Sequence, residues 1–128
     1  MRIGVLGGTF DPPHHAHLEL ARAATDQLQL DEVIFVPAGR NPLKRRGNQS
    51  APKHRLEMTR RMISREERMS VTDIEIERRG PSYTVDTMAD LSKIRPASYW
   101  FLMGADSLDT ISEWHNPERL VRYCRLGV

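Results

Sequence analysis

The first seventeen residues, MRIGVLGGTFDPPHHAH, constrain the fold of this chain more than any other stretch. The apolar residues from Ile3 to Leu6 predict a buried strand, and Gly7 and Gly8 then allow a sharp turn or a close approach of the backbone to a ligand. Three histidines follow at the start of a predicted helix, where free N–H groups and the positive end of the helix dipole favour an anion. His14 and His17, three positions apart, are expected to share one helix face. The stretch therefore predicts an anion site at a strand-to-helix turn.

Further strands are indicated by the patterns of apolar residues. Residues 33–36 and 99–103 are continuously apolar, as is typical of parallel strands that are covered on both faces. Between them, residues 71–77 are interpreted as a third strand, in which apolar and acidic side chains alternate from Asp73 onward. Such alternation indicates that one face is in water, and hence an edge strand. Residues 125–128 have the pattern of the beginning of a fifth strand.

Segments with helical spacing or helix-start signals separate these strands, at 15–28, from Pro52, from 82–84, near 105–111 and after Asn116. Strands that alternate with helices imply a parallel sheet joined by right-handed crossovers. If the third strand is at the edge of the sheet, the first and second strands lie inside it. The fourth strand must then lie on the other side of the first. The expected architecture is α/β, a Rossmann-like doubly wound parallel sheet of five strands in the order 3-2-1-4-5 with an incomplete last strand.

This strand order places the topological switch point between the first and the fourth strands. Ligands of such sheets bind outside the carboxyl ends of the strands at that point. Two glycine loops follow these two strands, Gly7-Gly8-Thr9 and Gly104-Ala105-Asp106. The pattern alone therefore predicts a binding site between the two loops.

The bulk properties predict one globular domain over residues 1–128, with 39% apolar residues. No run approaches the roughly 20 apolar residues that span a membrane, and the N-terminus has no signal-peptide pattern, so a cytoplasmic location is expected. Cys124 is the single cysteine, which excludes an internal disulfide and speaks against a cysteine zinc site.

The positive charge is unevenly distributed. Ten of the nineteen Lys and Arg residues lie between Arg40 and Arg68, together with three acidic residues. This basic segment can attract a polyphosphate such as ATP or a nucleic acid, or it can be a solvated helix face with a loop. An RNA-binding module is therefore an alternative function of another class, although the segment lacks the interleaved aromatic residues that stack on bases.

The sequence has no GxxxxGK[ST] phosphate loop and no GxGxxG fingerprint, so ATP, if it is a ligand, is not held as in P-loop enzymes. A histidine at a helix start can donate hydrogen bonds to phosphate oxygens in its neutral or its charged form. In an in-line attack on the α-phosphorus of ATP, such donors and a metal ion stabilise the accumulating charge. A structural histidine pair and a histidine metal site are the alternatives for His14 and His17.

The segment GGTFDPPHHAH resembles the HxGH nucleotidyltransferases, and among them the opening of the bacterial nicotinate mononucleotide adenylyltransferases. One departure is Ala16, where the family usually has glycine. The segments SYTVDT at 82–87 and FLMGAD at 101–106, together with Trp114, extend the resemblance over nearly the whole chain and favour the pyridine-nucleotide branch. The resemblance implies transfer of AMP from ATP to nicotinate mononucleotide with Mg²⁺, which releases pyrophosphate and forms deamido-NAD.

The resemblance also implies roles for individual residues. His14 and His17 match the two histidines that contact the ATP phosphates, and they are the expected catalytic residues. The other expected contacts to ATP are Gly7, Gly8, Thr9, Phe10, Gly104 and Asp106. The expected contacts to the mononucleotide are Lys44, Ser82, Tyr83, Thr84 and Trp114. No residue is expected to bind a metal ion directly.

Several of these assignments have an alternative that needs no ligand. Phe10 and Trp114 can be core residues, Asp106 can cap the helix that follows it, and the SYT segment can be a plain helix start. Arg45 or Arg46 can take the place of Lys44.

Members of the resembled family continue with an ISSTxxR-like motif that binds ATP phosphates, and this sequence contains no match to it. The resemblance therefore implies a C-terminally truncated or unusually short form, with poor activity and marginal stability. Nicotinamide mononucleotide or another phosphate acceptor is the alternative substrate, and the sequence leaves a homo-oligomer open.

Overall fold

The computed structural model of the chain describes residues 1–39, 50–78, 83–104, 114 and 116–128. Its strands are β1 (Arg2–Gly8), β2 (Glu32–Pro37), β3 (Met69–Val71), β4 (Ser98–Leu102) and β5 (Arg125–Gly127). Its helices are α1 (His15–Leu28), α2 (Pro52–Met62), α3 (Ile74–Glu77), α4 (Thr84–Ile94) and α5 (Pro117–Leu120). Within these residues, no helix combines the length and the apolar character that crossing a membrane requires.

The five strands form one sheet in the order β3-β2-β1-β4-β5, and every neighbouring pair is parallel. This order confirms the predicted Rossmann-like sheet and places the switch point between β1 and β4. In such a sheet each crossover helix begins at the edge where the preceding strand ends. The first residues of α1, α2 and α4 are therefore all on the carboxyl side of the sheet, where a ligand is expected.

Two apolar clusters cover the two faces of the sheet. One packs against α4 and α5, and its buried residues include Ile3, Val5, Ile34, Val36, Met88, Leu91, Phe101 and Leu120. The other packs against α1 and the end of α2, and its buried residues include Leu6, Leu18, Ala21, Phe35, Ile63, Trp100 and Leu102. Because β1, β2 and β4 contribute to both clusters, they are buried on both faces, as their continuous apolar runs predict.

The predicted third strand is partly wrong, because β3 ends at Val71 and residues 74–77 form the short helix α3. The neighbouring strand explains where β3 stops. In the ladder, Val33 donates its N–H to the Arg68 carbonyl, and Thr72 donates to Phe35; by the same alternation the next donor would be residue 37. Pro37 has no N–H, so the ladder cannot continue. The edge position of β3 is nevertheless confirmed, although the alternation that predicted it lies in a helix.

The other boundaries agree with the sequence patterns. Helix α2 has Pro52 in its first turn, and α4 begins at Thr84. Asn116 is the N-cap residue of α5, with Pro117 following it. The helix expected near 105–111 lies outside the described residues.

Candidate active site

The turn after β1 is closely packed around the ring of Phe10. Only 2% of Phe10 is exposed, and its backbone φ of 52° is in the left-handed region. A Cβ atom added at Gly8 would lie 3.0 to 3.3 Å from the Phe10 ring, whereas one added at Gly7 would make only ordinary contacts, at 3.8 Å. A side chain at Gly8 would therefore push against the Phe10 ring. The sharp turn predicted at Gly7 and Gly8 is wrong, because both glycines are the last residues of β1 and the left-handed residue that follows is Phe10.

Two of the three histidines are held together at the start of α1. His14 is the N-cap residue, so it lies just before the helix and not on its face as the spacing predicted. Its backbone N–H donates to Nδ1 of His17 at 2.9 Å, and the two rings are nearly parallel with centroids 5.9 Å apart. His15 is exposed.

This hydrogen bond determines which nitrogen of His17 is available to a ligand. Since Nδ1 accepts from the His14 backbone, the neutral ring carries its proton on Nε2 and is a donor there. Burial lowers the pKa of His17 below 6.5, and the nearby His14 ring acts in the same direction. The ring of Phe10 contacts the His17 ring edge-on, with centroids 4.8 Å apart. His17 is therefore a neutral, oriented N–H donor near pH 7.

The start of α4 offers a second set of donors. Tyr83 is its N-cap residue and Thr84 its first helical residue. The first residues of any helix have N–H groups without partners inside the helix, here those of Thr84 and Val85, and with the helix dipole they favour an anion. Ser82, the first residue of the SYT segment, lies outside the described residues.

A polar network fastens this first turn of α4 to α3. The Thr87 hydroxyl donates to the Glu75 carboxylate at 2.7 Å and accepts from the Arg78 guanidinium at 3.2 Å. Arg78 also donates to Asp90 at 2.6 Å. Thr87 is 2% exposed, so these bonds are well shielded from water. The sequence did not single out Glu75, because the alternating acidic residues 73, 75 and 77 were interpreted as the water-facing side of a strand.

The charge of Glu75 makes this network sensitive to pH. Burial raises the pKa of the Glu75 carboxyl above 4.5, while the Thr87 hydrogen bond and the Arg78 charge oppose the rise. The folded chain therefore holds this proton more tightly than the unfolded chain. The stability that protonation contributes is lost as pH rises from about 4.5 through the pKa of the folded state.

Glutamine at position 75 is expected to remove this dependence, because its side-chain carbonyl can still accept from Thr87 but does not ionise. Between pH 4.5 and 7, the free energy of unfolding of Glu75→Gln should rise relative to the wild type, by about 1.4 kcal/mol for each pH unit between the folded and unfolded pKa values. Urea unfolding across this range measures it. Glu77→Gln, an exposed position on the same helix, is the control, and parallel stability profiles of Glu75→Gln and the wild type would contradict the burial of this charge.

Gly39, two residues after β2, lies against the backbone of α3. A Cβ atom added there would overlap the carbonyl group of Glu75, with 2.9 Å to the carbonyl carbon. We expect Gly39→Ala to lower the free energy of unfolding by about 2–3 kcal/mol, because two backbone segments must separate. At Gly104 an added Cβ meets no described atom within 4 Å, so Gly104→Ala should change stability by no more than about 0.5 kcal/mol. Urea unfolding of both variants checks the difference, and equal values would show that the contact at Gly39 is absent.

The guanidinium of Arg55 is a further feature that the sequence did not single out as a site residue. It is 1% exposed and donates to four backbone carbonyls, those of Thr9, Ala38, Gly39 and Ser50. Its position directly before Leu56 and four residues before Thr59, on the inward side of α2, was the available signal. Arg55 therefore does not belong to a solvated basic surface, although it was counted in the basic segment from Arg40 to Arg68.

The remaining predicted site residues fall into two groups. Trp114 is half-buried and makes a T-shaped contact with the Phe101 ring, with centroids 5.8 Å apart. This contact favours the interpretation of Trp114 as a core residue. Gly104 is exposed just beyond β4. The others, Lys44 with its alternatives Arg45 and Arg46, Ser82 and Asp106, lie outside the described residues. Within the described part of the chain, no three His, Cys, Asp or Glu side chains are grouped to hold a metal ion.

A parallel sheet with this switch point, paired glycines at the end of β1 and a helix start with a histidine at its N-cap define a Rossmann-like α/β fold. The chain belongs to the cytidylyltransferase-like family, whose family model matches residues 5–128.

Curated relatives cover nearly the whole chain. A probable nicotinate-nucleotide adenylyltransferase of Chromobacterium violaceum is 44% identical over 129 residues, which include 99% of this chain and 61% of the relative. A protein of the same name from Exiguobacterium sibiricum is 45% identical over 99% of this chain and 67% of its own length. The chain thus spans about two thirds of the relatives' length or somewhat less.

Solved structures agree in fold. The nicotinic acid mononucleotide adenylyltransferase of Plasmodium falciparum, complexed with NaAD, matches 94% of this chain and 60% of its own chain, with a TM-score of 0.81 and 22% identity. A putative nicotinate-nucleotide adenylyltransferase from Vibrio parahaemolyticus matches 98% of this chain and 71% of its own, with a TM-score of 0.81 and 17% identity. At these identities the likeness supports the fold alone.

Proposed function

We propose that this chain carries the substrate sites of an adenylyltransferase that moves AMP from ATP to nicotinate mononucleotide, forming deamido-NAD and pyrophosphate in NAD biosynthesis. The observation that carries the proposal is the His14–His17 hydrogen bond, which presents an oriented Nε2–H donor at the N-terminus of α1, where His17 contacts Phe10 of the turn after β1. The names of the curated relatives support the same activity.

The reaction is a displacement at phosphorus. A phosphate oxygen of the mononucleotide attacks the α-phosphorus of ATP, the bond from that phosphorus to the oxygen bridging to the β-phosphate breaks, and pyrophosphate leaves with the electron pair. No covalent enzyme intermediate is needed, so the protein acts by position and by charge stabilisation. The N–H of His17, the His14 ring and the helix dipole of α1 face the negative charge that accumulates. Gly7, Gly8, Thr9, Phe10, Gly104 and Asp106 complete the proposed ATP site.

Mg²⁺ is proposed as the companion of ATP, because it is a hard cation that prefers phosphate oxygens and neutralises their charge. No chain residue is assigned to it. The cytoplasmic location and the homo-oligomer likewise stay predictions.

The acceptor is proposed to bind at the start of α4. There, the N–H groups of Thr84 and Val85 can receive the carboxylate of the pyridine ring, with Tyr83 beside them. Nicotinamide carries no such negative charge, so this arrangement favours the nicotinate form. Trp114, Ser82 and Lys44 are the further proposed contacts to the mononucleotide.

An acceptor panel tests the proposal. The chain with ATP and Mg²⁺ is offered nicotinate mononucleotide, nicotinamide mononucleotide and other phosphate monoesters, while pyrophosphate release is measured and calorimetry records binding independently of turnover. Deamido-NAD formed with preference for the nicotinate form is the expected result. If neither ATP nor nicotinate mononucleotide binds at millimolar concentration, the proposal is refuted. If another acceptor is preferred, the proposed substrate is replaced by that acceptor.

A further inference from the structure

Arg55 is the only charged residue among the described ones that is fully buried, at 1% exposure. Its Nη1 donates to the Thr9 carbonyl at 2.9 Å and to the Ala38 carbonyl at 2.5 Å. Its Nη2 donates to Gly39 at 3.3 Å, and its Nε to Ser50 at 3.1 Å. One guanidinium on α2 therefore ties together the segments that follow β1 and β2 and the segment that precedes α2.

Burying a charged guanidinium costs free energy unless all its donors are hydrogen-bonded. Burial lowers the pKa of Arg55, and the negative charge of Asp11 opposes that effect. Asp11 itself accepts the backbone N–H of Ser50 at 2.7 Å, so it anchors the same segment. An arginine stays charged in proteins, and here its donors are matched by carbonyl dipoles instead of by a hydrogen-bonded carboxylate.

We propose that Arg55 is a positioning residue for the phosphates of ATP, acting through the peptide between Thr9 and Phe10. This inference rests on the proposed function, because it assumes that ATP binds at the turn after β1.

The planarity of the peptide bond explains how Arg55 acts. In a trans peptide the N–H points opposite to the C=O, so holding the Thr9 carbonyl turns the Phe10 N–H to the other side of the turn. A charge-assisted hydrogen bond to the carbonyl also polarises the N–H of the same peptide and strengthens it as a donor. The positive charge behind the turn adds an attraction for phosphate, which is weakly screened because Arg55 is shielded from water.

Lysine is the informative replacement, because it keeps the charge but lacks the planar fork that reaches several carbonyls at once. In Arg55→Lys we expect the affinity for ATP with Mg²⁺ to fall about tenfold, as loss of a charge-assisted hydrogen bond implies. Affinity for nicotinate mononucleotide, measured in the same calorimeter, should change by less than about twofold. Equal losses for both ligands, or unchanged ATP affinity in the folded variant, would overturn the proposal.

Arg95→Lys is the matched control. Arg95 makes two hydrogen bonds to Glu32, at 3.1 and 2.7 Å, at the amino end of β2, so the same substitution there breaks a paired guanidinium contact far from the turn. Both ligand affinities should stay as in the wild type. A loss of ATP affinity in Arg95→Lys as large as in Arg55→Lys would assign the effect to general destabilisation.

Two nuclear magnetic resonance measurements keep the inference separate from the proposed function. Without ligand, the Phe10 amide signal should shift in Arg55→Lys and not in Arg95→Lys, and no shift would refute the orientation of this peptide by Arg55. The second measurement uses the wild type and so does not depend on whether a variant folds. Saturating ATP should shift the Arg55 Nε–H signal, whereas nicotinate mononucleotide should leave it unchanged. An unmoved signal when ATP is bound would refute the role of Arg55, whereas failure of ATP to bind at all would refute the proposed function.

Discussion

Replacing His17 by alanine is expected to slow adenylyl transfer by a factor of about 10² to 10³, as loss of one preorganised donor to a developing negative charge does in other enzymes. The His17 ring is oriented by three contacts: its Nδ1 accepts from the His14 backbone, it makes a T-shaped contact with the Phe10 ring, and it lies nearly parallel to the His14 ring. A donor held in this way needs no rearrangement when the phosphorus is attacked. Measurement of kcat and of ATP affinity by calorimetry checks the expectation.

The structural part of the His17→Ala effect can be separated from the chemical part. Loss of the hydrogen bond to the His14 backbone is a capping loss, worth about 0.5–2 kcal/mol of stability, and urea unfolding measures it. His15→Ala is the control, because His15 is exposed and lies one residue after the N-cap; its rate should stay within about twofold of the wild type. A His17→Ala rate within twofold of the wild type would contradict the assignment.

Replacing Phe10 by alanine is expected to lower the free energy of unfolding by about 3–5 kcal/mol, as removal of a buried aromatic ring does. The Phe10 ring fills the space above Gly8 and contacts Phe35, with centroids 5.8 Å apart, as well as His17. Its loss leaves a cavity under the turn and releases the His17 ring. Equilibrium urea unfolding gives the stability change.

The left-handed backbone of Phe10 supplies a sharper comparison. Glycine adopts a φ of 52° without the steric penalty of about 1–2 kcal/mol that other residues have. Part of that advantage is offset by the greater freedom of glycine in the unfolded chain. We therefore expect Phe10→Gly to be more stable than Phe10→Ala by several tenths to about 1 kcal/mol. The opposite order would mean that the turn does not keep this conformation.

The inner strands and the helix starts were predictable because their signals are local. The apolar runs of β2 and β4 indicate burial on both faces, and Pro52 and Asn116 mark helix starts. Once the strands and helices alternate, the switch point follows from topology.

The features that could not be predicted depend on residues distant in sequence. The end of β3 follows from the missing N–H of Pro37 on the neighbouring strand, which the alternating side chains of residues 73–77 do not reveal. The burial of Arg55 requires carbonyls from three separate segments. The positive φ of Phe10 is not visible in the sequence either, because a bulky residue rarely adopts the left-handed region.

A crystal structure of the chain soaked with deamido-NAD, the proposed product, would test both halves of the site at once. The pyrophosphate link should lie beside His14, His17 and the turn after β1, with the pyridine carboxylate against Tyr83 and Thr84 at the start of α4. A product bound elsewhere, or a pyridine ring away from α4 with the phosphates far from His17, would contradict the assignment of this site to adenylyl transfer.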